Sequence, residues 1–163
     1  MLEGVYVEYL VSKIVSGGQT GVDRAALDVA IDLEIPHGGW CPRGRRSESG
    51  VIPSDYQLME TDSADYSVRT ERNVLDSNGT LILHFGKLAG GTKLTCVYAK
   101  RHHRPCLVVD LKDHVPDLVI PAFQDWVLQN QVHTLNVAGP RESNVPAIGP
   151  LASHFLRQAL VKN

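Results

Sequence analysis

The sequence predicts an α/β fold: a mainly parallel sheet of about five strands with helices on both faces. Three observations predict it. Strand candidates such as "TLILHF" and "PCLVVDL" are apolar nearly throughout, and strands of that kind are buried on both faces. They alternate with helical stretches of about 10 to 15 residues, the pattern of βαβ units. The chain has 163 residues, 43% hydrophobic and 21% charged, enough for a real core in one domain spanning 1–163.

Taken in order, residues 1–11 are read as an extra edge strand or a tail. "SKIVS" is a short strand, and Val22 to Leu33 a helix. "PHGGWCPRGRRSESGVIPSDY" is rich in Gly, Pro, Ser and Arg. It reads as a long loop with a brief strand around Gly39 and Trp40. Ser63 is placed to cap a helix from about Ala64 to Asp76, which "SNG" stops. "TLILHF" follows as a buried strand. "GKLAGGTKLTCVYAKRHH" is a glycine loop and then a helix, and "PCLVVDL" another buried strand. Pro116 or Asp117 opens a helix to about Asn130. "HTLNVAG" is the last strand, and the closing helix starts near Pro146.

Composition excludes several classes. The formal net charge is −2, so no global field draws nucleic acid or an anionic membrane. No run of 18 or more apolar residues is present, so no membrane span is expected. The opening residues lack the order of a signal peptide, and a cytoplasmic protein is expected. Cys41, Cys96 and Cys106 show no zinc spacing. Cys96 and Cys106 read as small buried hydrophobes. Cys41, in a loop, reads as a partly buried thiol unless its pKa is lowered.

In open α/β sheets, ligands sit beyond the carboxyl ends of the strands. Three loops expected at that edge are unusual. "SGGQTGVD" offers Gly17, Gly18 and Gly21 for close backbone approach. It adds Gln19, the Thr20 hydroxyl and Asp23, which caps the helix or binds a ligand hydroxyl. A helix N-terminus there favours an anion. The loop matches neither the G-x-G-x-x-G nor the Walker pattern, so the phosphate compound stays open. "GKLAGGTKLT" repeats the device with Gly90, Gly91 and Thr92, unless Thr92 is only a cap. "AGPRESNVPAIG" presents Arg141, Ser143 and Asn144 for an anion, or is an ordinary polar loop.

Arg43, Arg45 and Arg46 of "RGRR" read as a lid over an anionic ligand or a solvated basic loop. No aromatic platform accompanies them for nucleic acid. Arg69, Arg72, Asn73 and Asp76 share one helix face, as a solvated face would. His102 and His103 suit a helix end better than a metal site. No catalytic set appears, neither G-x-S-x-G nor H-E-x-x-H.

Five blocks in order, "KIVSGGQTGVDRAALDVAIDLEIPHGGWCPRGRR", "TERNVLDSNGTLIL", "AGGTKLT", "RPCLVVDL" and "NVAGPRES", resemble the molybdenum cofactor carrier family. The likeness runs from about Ser12 to the C-terminus. The family is similar to a wider Rossmann-like group that includes the Lonely Guy phosphoribohydrolases. The resemblance implies a Rossmann-like three-layer α/β/α fold and a homo-oligomer, a tetramer. It implies binding and protection of the molybdenum cofactor without catalysis, and molybdenum enzymes as recipients. The cofactor is a pterin with a dithiolene-bound metal and a terminal phosphate. The three loops would then hold it, with Arg43, Arg45, Arg46 and Arg141 as countercharge. The alternative is a nucleotide-binding protein or an N-glycosidic hydrolase of the Lonely Guy type. That group carries P-G-G-x-G-T-x-x-E. Here the loop is Ala89-Gly90-Gly91-Thr92, with Thr95 three residues on. The proline, one glycine and the glutamate are missing, which favours binding over hydrolysis.

Overall fold

The computed structural model describes Gly4, residues 6–113 and residues 115–162. In chain order the elements are β1 (Lys13–Val15), α1 (Val22–Asp32), β2 (His37–Gly38), β3 (Trp40–Cys41), β4 (Arg46–Ser47), β5 (Gly50–Val51) and β6 (Met59–Glu60). These are followed by α2 (Tyr66–Leu75), β7 (Gly79–His84), α3 (Gly90–Arg101), β8 (Cys106–Asp110), α4 (Pro116–Gln129), β9 (Thr134–Ala138) and α5 (Ile148–Ala159).

Five strands form one sheet in the order β2-β1-β9-β7-β8, every neighbour parallel. Side chains alternate across it. Leu81, Leu83, Val109, Leu135 and Val137 point to one side and pack with α1, α4 and α5 into the main core. Phe123 of α4 meets Phe155 of α5 edge-on, with ring centroids 6.1 Å apart. The other face is covered by α2 and α3. Its apolar cluster is only Val74, Tyr98 and Ala99, with Leu94 and Cys106 against it. Asn136 and Thr80 on that face are polar and pair with each other, Asn136 Nδ2 donating to Thr80 Oγ1 at 3.2 Å. This is the three-layer α/β/α arrangement, with a thick apolar side and a thin polar one.

The order has a further meaning. Counting β9 first and continuing through β1, β2, β7 and β8 turns it into 3-2-1-4-5, the Rossmann order. The last strand of this chain thus occupies the place of the first. The ends of the described chain lie together, as such a rearrangement requires. Tyr9 and Val161 form an antiparallel bridge. Leu10 N donates to Leu160 O at 2.9 Å and Lys162 N to Glu8 O at 2.8 Å. An isolated bridge therefore replaces the full edge strand, and residues 1–3 and 5 lie outside the described part.

Local differences have local causes. The brief strand around Gly39 and Trp40 is two strands, because Gly39 takes φ 130° and turns the chain. β2 stays in the main sheet, while β3 pairs with β6. The cap of α2 is Asp65, which accepts from Ser67 N at 2.9 Å. Ser63 Oγ instead accepts from Asp65 N at 3.0 Å. α5 starts at Ile148, after Ala147 in the left-handed region.

Candidate functional site

A cleft of about 470 Å³ opens beyond the carboxyl ends of β1, β9 and β7. It lies at the point where the strand order reverses, between β9 and β7. That volume is within the range of small-molecule sites. Gly17, Gln19 and Asp23 come from the first glycine loop. Lys87, Gly90, Gly91, Thr92 and Thr95 come from the second loop and α3. Ala138 to Arg141, Asn144 and Val145 come from the loop after β9. α2 supplies Tyr66, Arg69 and Asn73, and Asn136 also lines the cleft.

The three helix starts differ in what they leave free. At α5, Glu142 takes the amides of Ala147 (2.5 Å) and Gly149 (3.3 Å). At α1, Val22 N is bound to Pro140 O at 3.2 Å and Arg24 N to Gln19 O at 3.0 Å. At α3, no side chain caps the N-terminus, and Ala89 is the residue before the first turn. Gly90 and Gly91 are exposed there. Its first-turn residues Gly90, Gly91 and Thr92 line the cleft, at the positive end of the helix dipole.

Arg69 is the centre of the opposite wall. It is 7% exposed. Its Nη1 donates to Gly17 O at 2.6 Å and lies 4.0 Å from Asp23 Oδ2. The guanidinium fills the space that a side chain at position 17 would need, which is why glycine stands there. Arg69 and Arg141 both approach the Tyr66 ring, at 5.3 and 5.5 Å from its centroid. Burial pushes the Asp23 carboxyl up to about 6. Arg69, the Gln19 amide, Arg24 and Arg141 pull the other way without winning. Gln19 Oε1 accepts from Thr20 N at 3.0 Å and from Glu48 N at 2.9 Å. These two bonds fix the amide's orientation. Its Nε2 is left buried with no acceptor.

The expected residues thus divide. Gly17, Gln19, Asp23, Gly90, Gly91, Thr92, Arg141 and Asn144 line one cleft. Thr92 lies inside α3, so it is not the cap. Gly18 faces Ile52 and Leu58. Thr20, Gly21 and Ser143 are at a neighbouring junction. There the Glu48 carboxylate accepts from the Thr20 hydroxyl, the Ser143 hydroxyl and, at 3.1 Å, Ser143 N. Those donors serve an internal carboxylate. Arg43, Arg45 and Arg46 do not line the cleft. Arg45 is occupied by the carbonyls of Ile52, Pro53, Tyr56 and Leu58, at 2.8 to 3.3 Å, while Arg43 and Arg46 are exposed. Arg45 thus staples this loop shut, and the exposed Arg43 and Arg46 fit the solvated alternative.

On α2, the solvated alternative does not hold for two of the four residues on the shared face. Arg69 and Asn73 are buried. Asn73 brackets the Trp40 backbone, accepting from its N–H at 2.8 Å and donating to its carbonyl at 3.0 Å. The i, i+4 spacing of these residues was the available signal. Polarity alone hid their burial. Elsewhere, Cys41 is fully buried and its thiol is pushed up, chiefly by burial. Cys96 and Cys106 are half-buried and hydrogen-bond to each other. His102 Nε2 pairs with Glu71 at 2.7 Å. No group of three or more metal-ligating side chains occurs among the described residues. No helix there is long and apolar enough to cross a membrane.

Residues 14–160 match the family described as "Circularly permutated YpsA SLOG family". A solved structure from Syntrophus aciditrophicus SB, titled "putative molybdenum carrier protein", is 45% identical with a TM-score of 0.91. The match covers 94% of this chain and 98% of that one. No curated protein matches. The match spans the cleft loops and agrees with the displaced first strand: the chain belongs to the circularly permutated YpsA family of SLOG proteins.

Proposed function

We propose that the cleft binds a phosphorylated small molecule, and that this molecule is the molybdenum cofactor, held and protected without chemical change. The observation that carries the reading is the meeting of an uncapped helix start with three cations. The α3 amides at Gly90 to Thr92 share one cleft with Arg69, Arg141 and Lys87. Amides at a helix start bind phosphate oxygens, and guanidinium groups neutralise them. Gln19 Nε2, a buried donor without an acceptor, fits a ligand rich in oxygen. The name of the Syntrophus protein supports the choice of cargo.

A nucleotide is the second reading, favoured by the position of the cleft at the Rossmann switch point. Hydrolysis of its glycosidic bond is disfavoured. Thr95 stands where the phosphoribohydrolase motif has glutamate, and its hydroxyl donates to Gly91 O at 2.9 Å. Assembly into a cytoplasmic tetramer and transfer to molybdenum enzymes complete the proposal. Val97 of α3 and Val108 of β8, both exposed, are available for self-association.

Protein purified from a host that makes the cofactor is expected to retain molybdenum, measured by mass spectrometry of the metal. Arg141→Glu reverses a charge in the cleft and is expected to lower that content about tenfold. A nucleotide in place of molybdenum would move the assignment to the second reading.

A further inference from the structure

We propose that Asp23 makes the cleft selective for an oxyanion that brings its own proton, a phosphate or phosphate monoester, over one that has none, such as sulfate. This rests on the anion-site reading above.

Asp23 is the sole carboxylate lining the cleft among the described residues. It is 7% exposed. Its Oδ2 accepts from Gln19 N at 3.3 Å and lies 4.0 Å from Arg69 Nη1. The charges facing it are Arg69 on α2, Arg24 on α1 and Arg141 in the loop after β9. Arg69 also binds Gly17 O, so its position is set by the fold and not by Asp23 alone. An oxyanion drawn to Arg69 therefore stands beside the carboxylate.

Two negative charges that close, in a site largely shielded from water, repel strongly. A proton between them converts repulsion into a charge-assisted hydrogen bond. An ionised carboxylate can only accept, so the proton must come from the ligand. A phosphate group has a second ionisation near neutral pH and can present an O–H. Sulfate at neutral pH cannot. Burial supports the same conclusion, because it holds the Asp23 carboxyl near 6. The group is ionised at neutral pH yet readily shares a proton. Below that value Asp23 carries the proton itself and can donate to sulfate. The preference should then fade.

The experiment is calorimetric titration with inorganic phosphate and with sodium sulfate, at about pH 7.5 and about pH 5, for the wild type and Asp23→Asn. At the higher pH the wild type is expected to bind phosphate at least about tenfold more tightly than sulfate. In Asp23→Asn, and in the wild type at the lower pH, the two anions should agree to within about threefold. Equal affinities in the wild type at the higher pH would overturn the proposal. So would a preference that survives in the variant. Should the variant fail to fold, the wild-type pH comparison decides alone. Failure of both anions to bind the wild type at either pH would instead reject the cleft as an anion site.

Discussion

Asp23 shows how one buried carboxylate in the cleft costs the fold stability. Its carboxyl is raised from 3.8 to about 6 in the folded protein, first by burial. Between about pH 4 and pH 6 the folded state holds a proton that the unfolded chain has lost. Stability therefore falls as pH rises through that window and stays lower above it. Asp23→Asn keeps an acceptor for the Gln19 amide and removes the buried charge. It is expected to raise stability by about 1–3 kcal/mol above pH 7 and to bring no gain below about pH 4. Urea unfolding of both proteins across this range measures the difference. Arg69 shows the limit of sequence reading at the same scale. Its spacing from Asn73 was plain, but a buried arginine and a solvated one look alike until the carbonyl of Gly17, 52 positions away, is found against it.

At the scale of elements, strand legibility followed burial. β7 is buried at every position and carries the continuous run Leu81-Ile82-Leu83, so it stood out. β4, β5 and β6 are two-residue strands with mostly exposed side chains. They carry no period to read. The hairpin of β4 and β5 is fastened by Glu48, which reaches Thr20 and Ser143, contacts far apart in sequence. Hydroxyls offered to a ligand by two separate loops, Thr20 and Ser143, thus hold a hairpin. Glu48→Ala is expected to free it and to speed trypsin cleavage after Arg43 and Arg46 several-fold, with no change in the rest of the digest. Unchanged cleavage would show that the hairpin is held by its other contacts, among them the Arg45 staple.

At the scale of the whole molecule, strand number and sheet type were legible and strand order was not. Parallel pairing is written in apolar runs. The insertion of β9 between β1 and β7 depends on which surfaces meet, and these include α1 against α5, helices from opposite ends of the chain. The adjacency of Glu8 and Lys162 makes the order testable. A variant that links Lys162 to Glu8 and opens the chain in the turn at Asn130 and Gln131 places β9 first. It is expected to fold cooperatively, with a thermal midpoint within about 10 °C of the parent. Loss of cooperative melting in circular dichroism would mean that the connection before β9 is essential.

The two layers flanking the sheet are unequal: α1, α4 and α5 rest on a large apolar core, α2 and α3 on a small one. Resistance to opening follows buried apolar contact and is unevenly shared within a protein. The α2 and α3 layer is the one that carries Arg69, Tyr66 and the helix start at Gly90. The layer most easily parted from the sheet is thus the one that supplies this wall of the cleft. For the ligand proposed above, release would then be a local event, a layer lifting while the Rossmann frame beneath it stays intact.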